Sequence, residues 1–297
     1  MSHLHHAALG TSQSMFLTLI LVSTALIYLR GWLSLRSNIL KVTSTWRACR
    51  FLVGLFFIWV AMASPIAHLD HELLTVHMLQ HLLLMTIAPP LIWLGAPADL
   101  LLHGLPRRFT ECPLRRLWQS KVGNGFARVA RRPKLAWLAA CAVLVGWHIP
   151  KLFALGMQSA SWHLVEHLSF LATGLLFWWP VVQSSAGESM ILYLFFATLP
   201  CDILSGFLVF SDRVVYPIYF SSSHLLGFTA LVDQQCAAAL MWTCVTIVYL
   251  VAGAILTARL LSPKSFSQFE FAQSKLVEAR IVPSVSQSLE ASISLGQ

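Results

Sequence analysis

Seven stretches of this chain run for 16 to 22 residues with no more than one charged side chain each, at about 14–29, 51–66, 73–94, 134–150, 164–183, 189–210 and 236–257. A helix that crosses a bilayer needs roughly 20 predominantly apolar residues. Inside a bilayer every backbone polar group must be satisfied within the protein, and these runs are too long for barrel strands. The predicted fold is therefore all-α: a polytopic membrane helical bundle with about seven transmembrane helices. Composition agrees. The chain is 57% hydrophobic and 11% charged, against about 25% charged in soluble domains. That deficit excludes a soluble globular protein and a disordered chain alike. The first run does not read as a cleavable leader, because no Lys or Arg precedes it and no small-residue cleavage site follows.

Basic residues set the orientation. Arg30, Arg36, Lys41, Arg47 and Arg50 lie between the first two runs, nine more lie between the third and the start of the fourth, which Lys134 opens, and four follow the seventh. These segments hold 18 of the 20 basic residues, leaving Lys151 and Arg213 on the other side. The positive-inside rule then places the N-terminus outside and the C-terminus in the cytoplasm. The net charge of +8 is accordingly a topology signal, and nucleic acid is not expected as a partner. Residues 1–262 form one membrane domain. Residues 263–297 are a polar, Ser-rich cytoplasmic tail expected to be disordered at its end. Trp32, Trp93, Trp137, Trp178 and Trp179 are expected in an aromatic belt near the cytoplasmic interface.

Once sides are assigned, the 12 histidines become informative, since only His103 falls on the cytoplasmic side. His3, His5 and His6 lie in the outer tail, His68 and His71 in an outer loop, and His224 in the last outer loop. Two pairs, His77/His81 and His163/His167, are four residues apart. Residues at that spacing share a helix face, so each pair could hold one metal or line one cavity. At 1.5 Å per residue, His77 and His81 lie roughly 6 and 12 Å below the outer end of the third span. Asp202 comes to the depth of His81 on an antiparallel span, and an intramembrane carboxylate requires a partner facing the bundle interior. Imidazole suits copper, zinc, iron and nickel, and the thioethers of Met62, Met78 and Met85 are soft enough for Cu(I), although methionine in a span is more often packing. The six cysteines form no Cys-x-x-Cys pair. Pro89, Pro90 and Pro200 should kink their helices, with neighbours satisfying the freed carbonyls. The seventh span carries no Lys for a retinal Schiff base. No phosphate loop, nucleophile triad or His-Glu-x-x-His motif is present.

Several ordered patches resemble one family. They are His77-Met-Leu-Gln-His81, Ala88-Pro-Pro-Leu, Leu94-Gly-Ala-Pro97, Trp147-His-Ile-Pro150, His163 through Glu166-His167-Leu-Ser-Phe170 to Phe177-Trp-Trp-Pro180, Tyr216-Pro-Ile-Tyr219, Asp233-Gln-Gln235 and Met241-Trp242. Together, over about 65–255, they resemble the multi-spanning CtaG-type cytochrome c oxidase assembly factors. The resemblance implies a multi-pass protein of the bacterial inner membrane, not an enzyme, that helps assemble a haem–copper oxidase, with oxidase subunits and the lipid bilayer as partners. A single-span protein with a soluble copper domain shares the CtaG name, and this chain lacks that architecture. Members of the multi-spanning family sometimes carry a fused copper-resistance domain, which ties copper to it by association.

The expected site is His77, His81, His163 and His167, with His148, Glu166, Asp202 and Asp233 as further ligands or orienting groups. No resident cofactor is demanded. Copper is the first candidate and haem the second. The rival readings are a membrane redox protein holding haem between helices, and a metal or proton transporter using Asp202 and the histidine pairs.

Overall fold

The computed structural model describes residues 2–38, 45–105, 132–183, 187–220, 227 and 229–262, with the side chains of 2–12 and of residue 99 excepted. The tail 263–297, most of the basic loop, His224 and the side chains of His3, His5 and His6 lie outside the described residues. Ten α-helices and no strand occur among the described residues. They are α1 (Ser2–Asn38), α2 (Thr45–Met62), α3 (Leu74–Leu82), α4 (Ala88–Leu94), α5 (Pro97–Gly104), α6 (Pro133–Trp147), α7 (Pro150–Gln158), α8 (Ala160–Gln183), α9 (Glu188–Val209) and α10 (Ala230–Leu260). Short 3₁₀ turns lie at Pro65–His71 and Pro217–Phe220.

Among the described residues, six segments are long and apolar enough to cross a bilayer: Gln13–Leu35, Thr45–Met62, Leu74–Leu94, Ala160–Gln183, Glu188–Val209 and Ala230–Leu260. The chain is a multi-pass helical bundle. Its outer faces are apolar as a lipid-exposed surface should be, with Phe195, Ile203 and Phe207 of α9 all exposed. The fourth expected span, 134–150, differs. Helix α6 has only 15 residues, and α7 follows it after a 78° bend. Pro150 is the reason: it has no N–H to continue α6 and restricts the residue before it, so one helix stops and another starts. The last span begins six residues earlier than its apolar run, because the Thr229 side chain accepts from the Val232 N–H and caps a polar first turn.

The third span is broken in its middle. Leu83–Ile87 forms a π-turn between α3 and α4. Pro89 cannot donate to the carbonyl of Met85, four residues back, and that carbonyl accepts instead from the Trp178 indole N–H at 3.1 Å. Trp178 is therefore a core residue, 2% exposed, and not part of an interfacial belt. Trp93 likewise donates to the Leu175 carbonyl at 2.8 Å. Gly174 makes this clasp close. A Cβ there would stand 2.8 Å from the Met85 carbonyl oxygen and 2.9 Å from Pro89 Cγ. Gly174→Ala is expected to destabilise the fold by about 1–3 kcal/mol, through overpacking against a backbone that cannot move aside. Thermal unfolding in detergent measures it.

Candidate metal centre

The site forms where α2 ends and α3, α8 and α10 begin. The charged end of α2, with Arg47 and Arg50, lies at the opposite end of that helix. Helix α3 presents His77 and His81 on one face, and α8 presents His163, Glu166 and His167. Spacings of three and four residues put each set on a common stripe. The two stripes meet. Ring centroids are 4.3 Å apart for His77 and His81, 4.2 Å for His163 and His167, 5.5 Å for His77 and His163, and 5.7 Å for His81 and His167. Phe153 packs edge-on against His77 and Phe170 stacks on His81 at 4.1 Å, which fixes both rings.

Glu166 Oε1 lies 3.5 Å from His77 Nε2 and 3.4 Å from His81 Nε2. These separations exceed those of good hydrogen bonds. They match the spacing of donors around one ion: two atoms each about 2.1 Å from a tetrahedral metal are about 3.4 Å apart. Above this triad, the Pro65–His71 turn adds Asp70 and His71. Asp70 Oδ2 lies 3.3 Å from His163 Nε2, and Asp70 Oδ1 lies 3.9 Å from His71 Nε2. One ligand atom from each of His77, His163 and His167 also falls within 4.8 Å of the others. The result is three overlapping triads that share His77 and His163. They descend from His71, whose side chain is 57% exposed, to Glu166 and His77, which are fully buried.

The donor set fits a cation. Nine buried nitrogen and oxygen atoms of Asp70, His77, His81, His163, Glu166 and His167 make no hydrogen bond among the described residues. Buried polar groups are normally satisfied, and an orphan costs about 1–3 kcal/mol, so nine in one place is the signature of a ligand site. No lysine or arginine pairs with Asp70 or Glu166 among the described residues, so imidazoles are the basic groups beside both carboxylates.

Neighbouring groups hold the frame. The Gln80 amide donates to the Ala67 carbonyl at 3.0 Å and to Asp70 Oδ2 at 3.3 Å. Tyr219 donates to the Asp70 carbonyl and Tyr216 to the His148 carbonyl. Burial pushes both phenols above their usual range, and the nearby carboxylates add to this, Glu166 at Tyr216 and Asp70 at Tyr219. Both phenols therefore remain protonated donors. Gly156 leaves room for Glu166, since a Cβ there would meet Oε2 at 2.7 Å.

The expected residues separate into three groups. His77, His81, His163, His167 and Glu166 come together. His148 borders His81, with centroids 6.1 Å apart. Asp202 makes no ion pair with any histidine among the described residues, and the carboxylate beside His81 is Glu166, not Asp202. Depth along a span does not fix rotation about the helix axis. Asp233 does not face an imidazole. Its carboxylate accepts from the Leu74 N–H at 2.6 Å, the Thr75 N–H at 3.2 Å and the Thr75 hydroxyl at 2.6 Å, and so caps α3. Asp70 was not among the expected site residues. Its signal was local: a carboxylate between His68 and His71 at the mouth of a span that carries two further histidines.

The sequence matches one family model, described as cytochrome c oxidase caa3 assembly factor, over residues 26–262. No curated protein and no solved structure matches the chain.

Proposed function

We propose, from the premise that this chain belongs to the cytochrome c oxidase caa3 assembly factor family, that it serves oxidase biogenesis by holding copper in the histidine–carboxylate cluster. The family assigns an assembly role with oxidase-related partners. The finer reading is a protein of the bacterial inner membrane with its N-terminus outside, the cluster in the outer leaflet, and copper as cargo for oxidase subunits. It does no chemistry on the oxidase. The observation that carries the reading is the ladder of buried, hydrogen-bond-orphaned imidazoles and carboxylates at metal–ligand spacing. Imidazole with carboxylate is a competent copper donor set. The exposed His71 end offers a mouth, and the buried Glu166 end a seat.

The wild-type protein purified from copper-supplemented cells is expected to carry about one copper per chain in this cluster. The His77/His81/His163/His167→Ala protein is expected to lose that copper, carrying about one equivalent less than the wild-type by elemental analysis. In a strain lacking the gene, the same variant should leave the oxidase spectrum and activity at the deletion level. Equal copper in the two proteins would remove the metal role. A normal oxidase in the deletion strain would remove the assembly role.

A further inference from the structure

Beneath the outer cluster the bundle encloses a cavity of about 40 Å³, lined by Met78, His81, Met85, His148, Cys201 and Met241 among apolar neighbours. Its heteroatom lining is mostly sulfur and imidazole, with the hydroxyls of Thr86 and Tyr249 besides. His81 belongs both to this cavity and to the cluster above it.

The contact that decides its chemistry is between His148 and Met78. His148 Nδ1 lies 2.7 Å from the Leu144 carbonyl oxygen, and Nε2 lies 3.3 Å from Met78 Sδ. Neither a carbonyl nor a thioether can donate a proton, so a neutral imidazole can satisfy only one of them. The shorter contact, to the better acceptor, takes the proton on Nδ1. Nε2 is then a bare lone pair aimed at a sulfur lone pair. Both side chains are buried, His148 at 5% and Met78 at 1% exposed, so no bulk water relieves the opposition. A cation bound by both atoms does. An imidazole nitrogen and a sulfur around one four-coordinate ion sit about 3.5 Å apart, close to the 3.3 Å seen here. The Tyr216 hydroxyl anchors the His148 carbonyl at 3.0 Å, which holds the residue in this pose.

We propose that Met78 Sδ and His148 Nε2 form the core of an intramembrane Cu(I) site, with a third donor from the sulfurs of the same cavity, and that His81 passes the ion down from the outer cluster. Thioether and imidazole in an apolar cage select a soft monovalent ion over zinc or divalent copper. The cargo is Cu(I) throughout, so no electron transfer is involved. The inference rests on the copper reading of the cluster above for its cargo, but on a separate donor set for its site.

The test uses the full chain in detergent, loaded anaerobically with Cu(I) against a bathocuproine competitor and examined by X-ray absorption. The wild-type is expected to show sulfur scattering at about 2.3 Å. Met78→Leu, which conserves volume, and His148→Gln are each expected to weaken Cu(I) binding by roughly tenfold or more, with sulfur scattering lost in Met78→Leu. Unchanged elution and melting show that these variants are folded. His77→Ala/His163→Ala is expected to lose the outer-cluster copper and keep the sulfur-bound ion. If that double variant retains all its copper while Met78→Leu does not, the outer-cluster reading fails and this site stands. Wild-type spectra without sulfur, or sulfur scattering lost in Cys201→Ser but kept in Met78→Leu, would overturn the proposal.

Discussion

Replacing Glu166 with Gln is expected to weaken copper binding at the outer cluster by about 10–100-fold and, at the same time, to raise the melting temperature of the copper-free protein. The two effects have one cause. Glu166 is fully buried and, among the described residues, neither of its side-chain oxygens accepts a hydrogen bond and no lysine or arginine opposes it, only the imidazoles of His77 and His81. A buried carboxylate in that condition carries a desolvation penalty of several kcal/mol that only a cation offsets. Gln keeps the shape that Gly156 accommodates and removes the charge. Without copper the variant should therefore be as stable as the wild-type or more so, by up to about 1–4 kcal/mol. With saturating copper the order should reverse, because a ligand stabilises only the form that binds it. Thermal melts of both proteins with and without copper separate this from a packing role. A variant that melts lower than the wild-type under both conditions, with copper binding intact, would show Glu166 to be a packing residue.

Asp233→Ala is expected to cost about 2–3 kcal/mol of stability and to loosen the whole cluster. Asp233 is 4% exposed and its charge faces no cation among the described residues; it is held by the Leu74 and Thr75 N–H groups and the Thr75 hydroxyl. Hydrogen bonds to a charged acceptor contribute about 1.5–3 kcal/mol. Two helix N-termini also converge on it, that of α3 which it caps and that of α10 in whose first turn it stands. Both macrodipoles favour a negative charge there. His77 follows the capped turn directly, so the variant should lose histidine geometry as well as stability. Asp233→Asn, which keeps one acceptor, should fall between. Chemical denaturation in mixed micelles and a copper titration measure the two losses. A full loss of copper affinity with no loss of stability would instead make Asp233 a ligand.

The spans were legible because an apolar run long enough to cross a bilayer has few other solutions, and the facing of His77 with His81, and of His163 with His167, followed from helical spacing alone. What stayed illegible was azimuth. Sequence distance places Asp202 at a depth but not on a side, so His81 was paired with the wrong carboxylate. The cap at Asp233 joins residues 159 apart in sequence, and nothing near either end announces the other. Trp178 looked interfacial because its neighbourhood is aromatic and near a span end. Its burial depends on a carbonyl that Pro89 frees on another helix. The bend at Pro150 was written locally, but an apolar run longer than α6 concealed it.

The π-turn at Leu83–Ile87 carries one residue more than an α-helix would use there. One surplus residue turns everything below it by about 100° relative to everything above. At the level of the gene one codon makes this difference, and it decouples two halves of one span. Loss of one residue from that turn would leave His77 and His81 facing α8 while swinging Pro89 and Trp93 away from it. The metal-facing half and the half clasped by α8 can thus be reshaped independently, although one unbroken apolar run encodes both.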